Sequence, residues 1–180
     1  MALLRITAVL LLVCAARLGA QTAKASEAQV KAVFLFNFAQ FVDWPPDAVP
    51  DSQAPLVIGV LGTDPFGDFL DATVRGERRG ARPFVVQRYQ RVEDITRCDI
   101  LFISRSAGDR PEEILARLKS RPILTVSDAD RFAERGGMIR FVTDRSRIRL
   151  QLNLAATEAA HLTISSKLLR VAEIITRPGP

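Results

Sequence analysis

The chain has 180 residues, of which 48% are hydrophobic and 25% charged, with a formal net charge of +5, one histidine and two cysteines. This length supports one domain with a sizeable core. No internal repeat, low-complexity tract or later apolar run long enough to span a membrane is present.

The chain opens "MALLRITAVLLLVCAARLGAQTAKASEAQ", in which Arg5 is a short positive region, Ile6 to Ala16 form an apolar run and small residues follow. That is the pattern of a secretory signal peptide. The apolar run is shorter than the about 20 residues that a spanning helix needs. Cleavage after Ala25 follows from Ala23-Lys24-Ala25, and a cut after Ala20 is the alternative. Val13 stands where a lipoprotein signal wants a small residue, so Cys14 is not read as a lipidation site. Removing residues 1–25 takes away Arg5, Arg17 and Lys24 and no acid, so the net charge falls from +5 to +2. One cysteine then remains, Cys98, and an apolar strand beside it predicts a buried, inert thiol.

The next stretch, "KAVFLFNFAQFVDWP", reads as a helix. At about 100° per residue, Val30, Val33, Phe34, Phe41 and Trp44 share one arc, which is taken as the core face. Asn37 falls within that arc and is expected to hydrogen-bond neighbouring backbone. Phe36 points into the polar arc, and Leu35 and Val42 lie on a third side. A helix apolar over so much of its circumference is either wholly buried or touches something besides its own core.

Four apolar runs bounded by turn residues follow: "LVIGVLG", "PFVVQRY", "DILFIS" and "PILTVSD". Short, β-branched and nearly unalternated, they read as strands covered on both faces. Helical patterns lie between them. "DPFGDFLDATV" has Asp64 as candidate N-cap and Pro65 in the first turn. "DRPEEILARLKS" has Pro111 early, and "DADRFAERGG" ends on a Gly pair suited to a C-cap. In "MIRFVTDRSRIRLQLN", apolar residues alternate with Arg140, Arg147, Arg149 and Gln151, as in a hairpin with one wet, cationic face. One or two helices close the chain, Ser165 or Ser166 capping the second. The fold class is α/β, a three-layer α/β/α sandwich with a mostly parallel central sheet and a C-terminal antiparallel hairpin.

Little in this pattern supports catalysis. His161 is the single histidine, no serine sits in a G-x-S-x-G elbow, and no cluster has metal-ligand spacing. Neither a cofactor nor a metal is expected. Gly62, Asp64, Ser104 and Ser127 fall at the carboxyl ends of strands, where open α/β sheets take ligands, and form a candidate small-molecule crevice. The arginine-rich segment "VRGERRGARPFVVQRYQRVEDITR" has the composition of a phosphate binder. Export and interleaved acids favour a solvated surface over a nucleic-acid site.

In this order and spacing, "KAVFLFNFAQFVDWP", "GVLGTDPFG", "CDILFIS", "LTVSD", "FAERGGMIRF" and "SSKLLRVAEII" resemble the YfiR family of periplasmic proteins. The likeness covers nearly all of residues 26–180, read as one domain. It implies an α/β domain that can dimerise. It also implies a protein that holds inactive the periplasmic sensor domain of an inner-membrane diguanylate cyclase or kinase-type protein, and so governs cyclic-di-GMP and biofilm growth. Phe36 stands where many members have tyrosine, and Cys98 has no mate for the disulfides of the better-known members. Phe36, Arg140, Arg147 and Arg149 are the candidate partner-binding residues. A periplasmic small-molecule sensor is the alternative.

Overall fold

Strands buried on both faces need mostly apolar side chains, with any polar one hydrogen-bonded, and three segments meet that demand. Leu56–Leu61 (β2), Ile100–Ile103 (β5) and Leu124–Ser127 (β6) are buried throughout. The computed structural model describes residues 27–48, 53–107, 111–145 and 147–175. The signal peptide and Cys14 lie outside the described residues.

Arg78–Arg79 (β3), Arg82–Tyr89 (β4), Ile139–Asp144 (β7), Arg147–Leu152 (β8) and Ala172–Ile174 (β10) join β2, β5 and β6 in an eight-stranded sheet of order β10-β8-β7-β6-β5-β2-β4-β3, while Val42–Asp43 (β1) pairs separately with Thr163–Ile164 (β9). From β4 through β2, β5 and β6 to β7 every pairing is parallel, and β8 turns back antiparallel on β7. The sandwich and its hairpin are therefore as the alternation of elements implies. The edge strand β10, parallel to β8, replaces the end of the expected closing helices. Those helices are short: Leu154–Ala159 (α4) and Ser166–Leu169 (α5), the second capped by Ser165.

Alternate side chains leave the sheet in opposite directions. Leu56, Ile58, Val60, Ile100, Phe102 and Phe141 join one cluster, which the first helix (α1, residues 27–41) covers together with Asp68–Val74 (α2). Val57, Leu61, Leu101, Ile103 and Cys98 join the other, under Leu118 at the end of the helix Pro111–Arg117 (α3) and Phe132. Gly59 keeps the second face tight, because a Cβ there would stand 2.8 Å from Cys98 Sγ and from a Tyr89 ring carbon. At the amino end of the sheet Arg82 donates to Asp99 (2.6 Å), and Asp99 accepts from Val57 N (2.8 Å).

Three local readings need correction. The core face of α1 is not the Val30, Val33, Phe34 arc. Ala32, Leu35, Phe38 and Ala39, followed by Val42 in β1 (Val42–Asp43), are at most 1% exposed, whereas Val30 and Val33 are 43% and 47% exposed. Those buried positions have the i, i+3, i+4, i+7 spacing of a packed helix. Two of them are alanines, whose small size lets the helix lie close to the sheet but gives them little weight on a helical wheel.

The second correction concerns Asp64, which accepts from Phe66 N (2.7 Å) in a turn ahead of α2, while Gly67 occupies the N-cap position. In the third, residues 130–136 form turns instead of a helix. Their one bulky apolar side chain, Phe132, is fully buried and lies where a Cβ on Gly137 would come within 2.1 Å of its ring.

Candidate functional site

Because β2, β5 and β6 run parallel, their carboxyl ends open on one edge. Gly62 follows β2 with φ +87°, and a Cβ there would come within 2.9 Å of Ser106 Oγ and 3.0 Å of Ala107 N. Its N–H donates to the carbonyl of Tyr89 (2.9 Å). Asp64 also pairs with Arg88 (2.8 Å). Ser127 is fully buried, donating to Ile103 O (2.6 Å) and accepting from Ala129 N (3.0 Å). Ser104 accepts from Ser106 Oγ (3.2 Å). Of the four expected crevice residues, Ser104 lines a cavity of about 600 Å³ at this edge, while the other three brace the turns around it.

The cavity's far wall is a feature that sequence reading missed. Lys31 on α1 is 5% exposed, and its ammonium lies 2.6 Å from Glu27 Oε1 and 2.6 Å from Asp128 Oδ2. Arg105 donates through Nη2 (2.6 Å) and Nε (3.1 Å) to the carbonyl of Asp128. Glu27 accepts in addition from Thr143 Oγ1 (3.0 Å). Burial pushes the Glu27 carboxyl up, but the Lys31 ammonium and the Thr143 hydroxyl overcome it and leave it below its ordinary range. The i, i+4 spacing of Glu27 and Lys31 was the available signal. The closing contact to Asp128 spans 97 residues and leaves no local trace.

On the outward side of α1, Val30, Val33, Phe34 and Asn37 border a shallow hollow of about 260 Å³. This is the apolar surface that the helix leaves uncovered. Asn37 is half-buried within it and is not directed into the core. Phe36, placed by sequence on a partner face, is half-buried with its ring 5.1 Å from that of Phe84.

The hairpin arginines divide. Arg140 bonds to Asp130 (2.9 Å) and Gln151 (3.2 Å), with its side chain 16% exposed. Arg149 is exposed and pairs with Asp144 (3.1 Å), and Arg147 is exposed at the start of β8. The strand register sets all three on the face opposite Phe141, which meets Phe34 of α1 with ring centroids 5.9 Å apart. Phe36 and the arginines are therefore not one surface.

Cys98 is buried, and burial pushes its thiol up to about 12. Such a group holds almost no thiolate near neutral pH. His161 is exposed at the end of α4, with φ +57°. Among the described residues no group of three His, Cys, Asp or Glu side chains converges to hold a metal ion.

Residues 28–173 match the family described as YfiR/HmsC-like. No curated protein matches the chain. Among solved structures it is similar to the ABC domain from Streptococcus pneumonia in complex with L-Trp, at 12% identity and a TM-score of 0.53, over 82% of this chain and 60% of that one. A conserved domain protein from Vibrio cholerae O1 biovar eltor has 12% identity and a TM-score of 0.48, over 73% of this chain and 57% of that one. The chain thus spans less than two thirds of either neighbour, and the first likeness is one of fold. No described helix is long and apolar enough to cross a membrane. The chain belongs to the YfiR/HmsC-like family.

Proposed function

We propose that this protein is exported by the leader in residues 1–25. Residues 26–180 then act as a single periplasmic, non-enzymatic domain that binds and represses an inner-membrane signalling protein, a diguanylate cyclase controlling cyclic-di-GMP and biofilm formation. The observation that carries the reading is the uncovered strip on α1, where Val30 and Val33 are 43% and 47% exposed beside Phe34. Clustered exposed apolar side chains of this kind are characteristic of protein-docking surfaces. Arg147 and Arg149 act separately, steering an acidic partner face from the other side of the sheet. Arg140, held by Asp130, supports that face, and Phe36, packed on Phe84, helps hold α1 on the sheet.

Affinity capture of the tagged protein from detergent-solubilised membranes tests this reading. The wild type retains a cyclase-bearing membrane protein and Val33→Asp does not. Recovery of a second copy of this chain alone would assign the strip to a homodimer. The crevice behind Ser104 favours a second reading, a periplasmic small-molecule sensor, because a cavity of this size is within the range of small-ligand sites.

A further inference from the structure

The crevice at the carboxyl edge combines an aromatic rim with a set of charges that already satisfy one another. Phe69, 39% exposed, stands at one side with Pro65. On the other, Lys31 touches Glu27 and Asp128, each at 2.6 Å, and Arg105 lies 3.4 Å from Asp128 Oδ1. Two cations and two anions leave this wall without net charge. An anion entering the crevice would meet Glu27 and Asp128, and a cation would meet Lys31 and Arg105. A zwitterion would surrender the hydration of both its charges, while each countercharge it could use is already engaged.

What remains unused is hydrogen-bonding capacity. An ammonium has three N–H groups, and Lys31 directs two of them at carboxylates; a guanidinium has five, and Arg105 uses those on Nε and Nη2. The Ser104 hydroxyl and the remaining lone pairs of Asp128 add a donor and acceptors. A neutral molecule whose polar groups both donate and accept suits such a wall, and an apolar face on the same molecule suits Phe69. A pyranose ring has both features, with C–H bonds on one face and hydroxyls around its edge.

We propose that this crevice binds a neutral saccharide, its C–H face against Phe69 and its hydroxyls on Lys31, Ser104, Arg105 and Asp128. The assignment rests on the small-molecule reading of the crevice and is independent of partner repression.

The test is a nuclear magnetic resonance titration of the mature, isotope-labelled protein. Probes are glucose, N-acetylglucosamine and maltose, compared with phenylacetate, phenethylamine and phenylalanine. A sugar should give saturable shifts at the backbone amides of Phe69, Ser104 and Arg105. Phe69→Ala should weaken its binding by about tenfold or more, and Ser104→Ala, a smaller change, should weaken it with the remaining spectrum unaltered. Tighter binding of a charged or zwitterionic probe at these residues would overturn the ligand class and leave the crevice reading standing. If no probe shifts them, both fail. Sugar binding that survives both substitutions would also overturn the assignment, since the sugar would then sit elsewhere.

Discussion

Lys31→Met keeps an unbranched apolar stem of similar length and removes the ammonium that ties α1 to the end of β6. Breaking a fully buried ion pair costs about 3–5 kcal/mol. Two features lower that figure here. The Glu27 and Asp128 side chains are 35% and 21% exposed, so water reaches both, and Arg105 remains on Asp128. A loss of about 2–3 kcal/mol results, and at about 2–4 °C per kcal/mol for a domain of this size the melting temperature falls by about 4–12 °C. The pH dependence has a definite sign. Glu27 is held below its ordinary value of 4.5, so its contribution is fully present above that value and is lost as pH falls through the folded-state value. Thermal unfolding followed by circular dichroism should therefore show the full gap between wild type and variant at pH 7 and a narrowing gap below about pH 4.5. Adding Asp128→Asn should make the double variant less unstable than the sum of the single ones, because the two residues interact directly. A gap under about 1 °C at pH 7, or one that does not change with acid, would refute the reasoning.

Cys98, with its thiol pushed up to about 12, should resist a disulfide exchange reagent in the native state and react only on unfolding, a rate measured with and without denaturant. Cys98→Ser should lower stability by about 1–3 kcal/mol in urea unfolding, since a hydroxyl is costlier to bury than a thiol. Phe36→Ala removes a half-buried ring tilted against that of Phe84 and should cost about 2–3 kcal/mol, below the figure for a fully buried phenylalanine. Asn37→Leu should by contrast leave the melting temperature nearly unchanged, because Asn37 sits in the surface hollow beside Val33. Charge reversal at Arg147 or Arg149 should slow association with the membrane partner and weaken its salt dependence, with the dissociation rate little changed, as stopped-flow or surface-binding kinetics would reveal.

The sheet was legible in the sequence because strands covered on both faces concentrate apolar residues into short unbroken runs, as in "LVIGVL" and "DILFIS". The hairpin was legible for the opposite reason, its one wet face imposing strict alternation. The orientation of α1 was not. Bulky Val33 and Phe34 outweigh Ala32 and Ala39 on a helical wheel, yet the alanines are the residues that allow close packing on the sheet. Lys31 was hidden for a related reason. A lysine in a helix is ordinarily solvated, and the carboxylate that makes its burial tolerable lies far away in the chain, after β6. The carboxyl edge could be located from the strand ends, but which side chains line a cavity there depends on how α1 and α2 lean over it. Only Ser104 of the four expected residues does so. The strand β10 is three residues long and follows a four-residue helix, too short for either period to register.

The central claim is that the uncovered strip of α1 holds a membrane cyclase inactive. Cyclic-di-GMP measured in cells that carry Val33→Asp in place of the wild-type protein tests it most directly. Val33 is 47% exposed, so the substitution should leave the melting temperature of the purified protein within about 2 °C of wild type. The account predicts that cyclic-di-GMP then rises to the level of cells lacking the protein. Wild-type cyclic-di-GMP in cells carrying a folded, exported Val33→Asp protein would contradict it.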